Sequence, residues 1–586
     1  MKSFFKIFFA STAALVFFCF FIIVIGVCTA GSSAVTISPK SVLTIDLSKS
    51  YPEVGQTNPL LFLQSDKEYD LPSFYEVIQL IEMAANDPSV NAILLQGSNN
   101  NNGFANSDEL RKALMKFREK SGKPVYGYAA EMSQLSYFVM SAADSVFVNP
   151  QGAIEWSGLS TTLLFFKGAL DKLEINPQII YAGKFKSATE PFREKKMSDP
   201  NRIQYTELLE DLFNYMVTEV AASRNIDPVL LRKQADEQVV VFPQHAMDIK
   251  LIDGLRYEDE VENIFRELLS VSPARKIAYE SIAKYAEAKK LSLINSSADK
   301  IALIAAEGDI ITGKGGYKQI ASEDYISLIK KARLNSSVKA VVFRVNSGGG
   351  SALASEEIWR EITLTRQVKP VIVSMGNYAA SGGYYIAANG NTIVADPTTL
   401  TGSIGVFAMI PSVQKLMNNK LGITTDGVQT SEKAQPINVF EDLKPFQVEL
   451  LKTQIDTIYA VFKRRVAEGR NLSVDYVDSI AQGRVWSGIK AKEIGLVDTL
   501  GSLNTAIAIA AQQAELRDYG IIHYPDKKSK LEFSNFPMEL ISSKSKQDIL
   551  AESLGQEGLQ VYESLKSLQS NFKVPLLKPY ETFIIR

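Results

Sequence analysis

The chain has 586 residues, 46% hydrophobic and 22% charged, too long for one hydrophobic core, so at least two domains are expected. Lys+Arg 63 against Asp+Glu 65 leaves a formal net charge of -2, which provides no basic field for a nucleic-acid partner. With only two cysteines, Cys19 and Cys28, and two histidines, His245 and His523, a disulfide in the body, a thiolate metal site and a His-rich metal centre are excluded.

In chain order, residues 1-6 form a short cytoplasmic N-terminus carrying Lys2 and Lys6, ahead of an uncharged run at 7-28. As a helix this run reaches about 33 Å, enough for a hydrocarbon core of about 30 Å. Positive residues before it and none over 29-39 predict an N-in transmembrane anchor that holds the body outside the cytoplasm. The alternative is a cleaved secretory leader cut near Thr29-Ala30-Gly31. Either way the body is exported.

The body is duplicated. Val90-Asn91-Ala92-Ile93-Leu94-Leu95 and Val338-Lys339-Ala340-Val341-Val342-Phe343 are short apolar runs that predict buried parallel strands. A Gly/Asn/Ser-rich turn follows each, at 96-103 and 346-351, then a helix at 107-119 or 355-365 and a strand opened by Lys123-Pro124-Val125 or Lys369-Pro370-Val371. Tyr137-Phe138-Val139 then matches Tyr384-Tyr385-Ile386, and Leu251-Ile252-Asp253 matches Leu496-Val497-Asp498. Strand-helix alternation predicts an α/β fold of right-handed βαβ units. The expected division is two tandem homologous domains, 40-290 and 300-520, joined through a polar helical segment near 275-298 and followed by an extension at 521-586.

Three motifs of the second half carry chemistry. Arg344-Val345-Asn346-Ser347-Gly348-Gly349-Gly350-Ser351 passes from strand to helix, and its glycines let the backbone approach a ligand. Tyr378-Ala379-Ala380-Ser381-Gly382-Gly383-Tyr384 exposes a hydroxyl at a small-residue step, as a nucleophile requires, although a helix-capping serine reads the same way. Leu400-Thr401-Gly402-Ser403-Ile404-Gly405 follows, and alone it reads as a turn into a strand.

In this order the motifs resemble the signal peptide peptidase A family, in its long, duplicated, membrane-anchored bacterial form. The first half adds Tyr181-Ala182-Gly183-Lys184-Phe185-Lys186-Ser187-Ala188, which resembles that family's lysine-bearing segment. The resemblance implies two Clp protease/crotonase-like domains, Ser381 as nucleophile, Lys186 as general base, Ser403 orienting the lysine, and Gly349 and Gly350 in the oxyanion hole. It also implies remnant signal peptides as substrates, a homotetramer on the outer face of the cytoplasmic membrane, and no metal or organic cofactor. One departure is Gly348, where the family usually has proline.

A free lysine titrates near about 10.4, so a lysine base working near neutrality must be made easier to deprotonate by about 4 kcal/mol, within the reach of burial. Lys184 and Lys433 are the competing amines; in an extended segment Lys184 and Lys186 would face the same side. The repeat sets Gln134 opposite Ser381, and the second-half counterpart of the lysine segment has no Lys-Ser-Ala. Each half thus keeps one catalytic group, which predicts a site between the halves. Two other classes remain: a crotonase-like acyl-CoA enzyme, and a catalytically silent membrane scaffold or peptide-binding ring.

Overall fold

The matched apolar runs fold as central strands of two parallel sheets, because side chains buried on both faces leave no reason for alternation. The computed structural model describes residues 35–57, 69–290, 297–431 and 433–525, with the backbone of 528–529 and 576–577. The run at 7-28, both cysteines and most of the 521-586 extension lie outside the described residues. Among the described residues, no helix is long and apolar enough to cross a membrane.

The first half supplies β1 (Ser41–Asp46), α1 (Phe74–Asn86), β2 (Val90–Gln96), α2 (Phe104–Ser121), β3 (Val125–Met132), α3 (Gln134–Met140) and β4 (Ser145–Ile154). It continues with β5 (Asn176–Ala182), α4 (Asp199–Arg224), β6 (Gly254–Leu255) and β7 (Ala278–Ser281). Its sheet runs β6-β4-β3-β2-β1-β7, parallel throughout, and omits β5. The second half supplies β8 (Lys300–Ile311), α5 (Ser322–Leu334), β9 (Val338–Ser351), α6 (Ala352–Arg366), β10 (Val371–Ala380), α7 (Gly382–Ala387) and β11 (Thr392–Ala395). After these come β12 (Leu400–Gly402), β13 (Val406–Ser412), α8 (Pro445–Arg470), β14 (Val485–Ser487) and β15 (Gly520–Tyr524). The parallel order β15-β8-β9-β10-β11 repeats β7-β1-β2-β3-β4.

The duplication extends to single hydrogen bonds. Tyr137 Oη donates to the Leu251 carbonyl at 2.7 Å, and Tyr384 Oη to that of Leu496 at 2.9 Å. Lys123 Nζ reaches the Ala84 and Asp87 carbonyls at 2.8 and 2.6 Å, as Lys369 Nζ reaches those of Ala332 and Asn335 at 2.9 and 2.6 Å. Arg224 pairs with Asp253 and Arg470 with Asp498. The segment near 275-298 is more than a linker: it holds β7 and a helix, Ile282–Lys289, whose buried Tyr285 donates to Asp87 at 2.9 Å.

Two features tie the halves together. β5 leaves its own half and pairs antiparallel with β13, from Ala182 opposite Val406 to Asn176 opposite Ser412. Arg344 on β9 is buried and bonds Glu109 at 2.7 Å, Glu53 at 3.1 Å and Asn106 at 2.9 Å, all from the first half. Burial opposes its charge, but Glu109 and Glu53 outweigh that and push its pKa up. Removing one member of such a buried pair typically costs about 3–5 kcal/mol, so the cluster resists separation of the halves.

Candidate active site

Ser381 follows the last residue of β10 and caps α7, with φ 56° and ψ −118°, a conformation that non-glycine residues avoid. Strain of this kind persists only where the surroundings hold it, and here they do. The Ser381 N–H donates to the Gly402 carbonyl at 2.8 Å, and its carbonyl accepts from Tyr385 N–H at 2.9 Å. Glycine is required two residues on, because a Cβ on Gly383 would lie 2.3 Å from the Ser347 carbonyl oxygen.

Lys186 arrives from the other half. Pairing of Ala182 with Val406 sets the end of β5 beside the turn that holds Ser403, and the chain then folds back, with Lys186 N–H donating to the Gly183 carbonyl at 3.1 Å. The side chain is buried, 1% exposed. Its Nζ lies 2.9 Å from Ser381 Oγ, 3.0 Å from Ser403 Oγ and 3.0 Å from the Ser403 carbonyl oxygen. The expected meeting of Ser381, Lys186 and Ser403 is thus found within one chain.

The glycine turn lies against α7. Gly349 has φ 108°, and its N–H donates to Ser347 Oγ at 3.1 Å, which ties that amide into the turn. Both glycines lie against the neighbour of Ser381: a Cβ on Gly382 would lie 3.1 Å from Gly350 N and 3.2 Å from Gly349 Cα. Sequence reasoning passed over Gly382; the available signal was its place just after the serine at a strand-to-helix step.

The competing residues lie elsewhere. The segment around Lys184 is a turn and not extended, so Lys184 is exposed, with its Nζ over the Phe185 ring at 5.1 Å. Lys433 is on an exposed loop. His245 Nδ1 accepts from Val241 N–H at 3.3 Å, and exposed His523 lies on β15 beside the Tyr75 ring. Gln134, at the matching place in the first half, accepts from the N–H groups of Ser157 and Gly158 at 3.0 and 3.1 Å, so a neutral amide closes that position.

A duplicated α/β body with a strained serine and a buried amine at its oxygen defines a serine peptidase. The chain belongs to peptidase family S49, whose model matches residues 117–272 and 363–517, one stretch in each half. It is 34% identical over 503 residues to Protease 4 of Salmonella typhi, covering 83% of this chain and 79% of that one. Protease 4 of Haemophilus influenzae is 35% identical over 462 residues, 76% of this chain and 74% of that one. The chloroplastic serine protease SPPA of Arabidopsis thaliana is 34% identical over 444 residues, 74% of this chain and 64% of that one.

Proposed function

We propose that this serine peptidase is a membrane-anchored endopeptidase that degrades cleaved signal peptides and other short apolar peptides through a Ser381–Lys186 dyad. The observation that carries the dyad is the 2.9 Å approach of Lys186 Nζ to Ser381 Oγ. An unprotonated amine has two N–H groups and one lone pair. Directing the N–H groups at the two Ser403 oxygens leaves the lone pair for the Ser381 hydroxyl.

In the reaction, Ser381 Oγ attacks the peptide carbonyl carbon as its proton passes to Nζ. The oxyanion accepts hydrogen bonds from the N–H groups of Gly350 and Gly382, each such donor typically contributing about 10²–10³ in turnover. Nζ then protonates the leaving amine, and an acyl-enzyme remains on Ser381. Water attacks the ester, giving a proton to Nζ, and the carboxylate product leaves as that proton returns to Oγ.

Backbone pairing supports an extended peptide as substrate. Leu576–Leu577 pairs antiparallel with Gly350–Ser351 and also opposes Phe407, so the gap between β9 and β13 accepts a strand. The uncharged run at 7-28 supports a single-pass anchor, with the body at the outer face of the cytoplasmic membrane. The Clp protease/crotonase-like domain type and the homotetramer rest on the family resemblance.

A serine-reactive fluorophosphonate tests the dyad on the full chain. Ser381 should label in the wild type, not in Ser381→Ala, and far more slowly in Lys186→Ala. An intact, folded wild type that never labels would turn the reading to a silent peptide-binding scaffold.

A further inference from the structure

Residues 482–485 bond to both the lysine turn and the Ser403 turn. On one side, Phe185 N–H donates to the Gln482 carbonyl at 2.8 Å. On the other, Ser403 N–H donates to the Arg484 carbonyl at 2.7 Å, and Gly483 N–H to the Ile404 carbonyl at 2.8 Å. The strip is tight: a Cβ on Gly483, whose φ is 76°, would lie 2.7 Å from both N and Cβ of Lys186.

One buried side chain spans this layer. Gln204 on α4 is 2% exposed. Its Nε2 donates to Ser187 Oγ, next to the lysine, at 3.3 Å, and its Oε1 accepts from Val485 N–H at 2.8 Å. Val485 in turn pairs with Gly402 across β14 and β12, adjacent to Ser403. The helix that carries Gln204 is itself anchored to the lysine segment. Buried Glu190 accepts from Ser198 Oγ at 2.5 Å and from Asn201 Nδ2 at 2.8 Å, and Ser198 caps α4.

We infer that Gln204 and Gly483 are positioning residues, which set the separation of the Lys186 amine from the Ser381 hydroxyl by clamping residues 482–485 between the two turns. The inference rests on the Ser–Lys reading. Its physical basis is the steep dependence of rate on geometry: a misplacement of about 1 Å costs on the order of 10². Gln204 serves because one neutral amide donates to the lysine segment and accepts from the strand beside Ser403. Gln204 itself is neutral, and the charge in the strip it holds is that of Arg484, which lies over the Phe185 ring at 4.9 Å and pairs with Glu207.

The test uses the full chain in detergent, with a fluorogenic apolar peptide and fluorophosphonate labelling. Gln204→Ala should lower kcat by at least about tenfold, with KM within about twofold of wild type and the thermal midpoint retained. Gln204→Glu keeps the acceptor for Val485 N–H but sets a carboxylate against Ser187, the residue after Lys186. It should recover part of kcat and move the acidic limb of the kcat/KM profile to higher pH, since negative charge favours the ammonium form. Gly483→Ala, whose new Cβ presses on Lys186 N and Cβ, should lower kcat independently by a comparable factor.

Wild-type kcat in Gln204→Ala overturns the inference, as does a loss that vanishes when rates are expressed per folded molecule. If Gln204→Ala does not fold, an unmoved acidic limb in Gln204→Glu or wild-type kcat in Gly483→Ala overturns it instead. Failure of the wild type itself to label at Ser381 would remove the Ser–Lys reading beneath it. Normal wild-type labelling with unaffected variants would remove only the positioning role.

Discussion

Ser381 and Ser403 both hold positive φ, 56° and 48°, and both hydroxyls lie at the same lysine nitrogen. Two strained serines on one amine show where folding energy is used to fix geometry. Lys186→Ala should remove turnover while leaving the thermal midpoint near wild type, because alanine leaves the three oxygens to one another and to water. Steady-state kinetics alongside thermal unfolding checks this, and retained turnover would move the base to another residue. Gly348 allows a second test. It lies in the bulge between Asn346 and Gly349 of the β9–β8 pairing, and it does not share the positive φ of Gly349 and Gly350. Proline is tolerated at such bulges. Gly348→Pro should therefore preserve kcat and raise stability by about 0.4–1 kcal/mol, measured as a shift in denaturant midpoint.

At the scale of elements, the contact between α2 and the end of β11 carries an unusual electrostatic load. Asp108 and Asp396 are both buried, and Lys112 Nζ lies 2.5 Å from Asp108 Oδ2 and 3.5 Å from Asp396 Oδ2. Tyr215 Oη donates to Asp108 at 2.7 Å. Burial first, and then the charge of Asp108, raises the pKa of Asp396 well above its ordinary value of 3.8, against the opposing pull of Lys112. The folded chain therefore holds this proton to higher pH than the unfolded chain. Between the ordinary and the raised value the folded state binds more protons, so stability falls as pH rises through that interval. Asp396→Asn keeps an Oδ1 acceptor for Thr398 N–H, which lies at 2.9 Å, and should flatten that fall. Denaturant midpoints measured across pH would show it. A slope equal to wild type would place the proton elsewhere.

At the scale of the whole molecule, the antiparallel pairing of β5 with β13 brings Lys186 of the first half to Ser381 of the second. Both groups nevertheless come from one chain, 195 positions apart. Co-assembling Ser381→Ala with Lys186→Ala subunits should therefore leave the mixture inactive. Restored hydrolysis would mean that neighbouring subunits exchange catalytic groups.

The sequence alone determined the duplication and the buried strands, because both are written in local pattern; Ser381, Lys186 and Ser403 were singled out through the resemblance of their motifs to a known family. Apolar runs between turns mark strands, repeated spacing marks homologous units, and the motifs around Ser381, Lys186 and Ser403 stand as contiguous residues. Gly382 was nearly legible, being next to the nucleophile. The tertiary structure decided the rest. That Lys186 turns inward while Lys184 points out follows from the fold-back after β5, not from alternation along an extended segment. The roles argued for Gln204 and Gly483 depend on contacts that join Ser187 to Gln204 and Lys186 to Gly483, distant in chain order and unmarked by any pattern. A buried glutamine on a helix and a glycine in a loop look the same in sequence whether they pack against solvent-shielded core or against the segment that carries the Lys186 amine. Only the pairing of strands from different halves brings that amine to them.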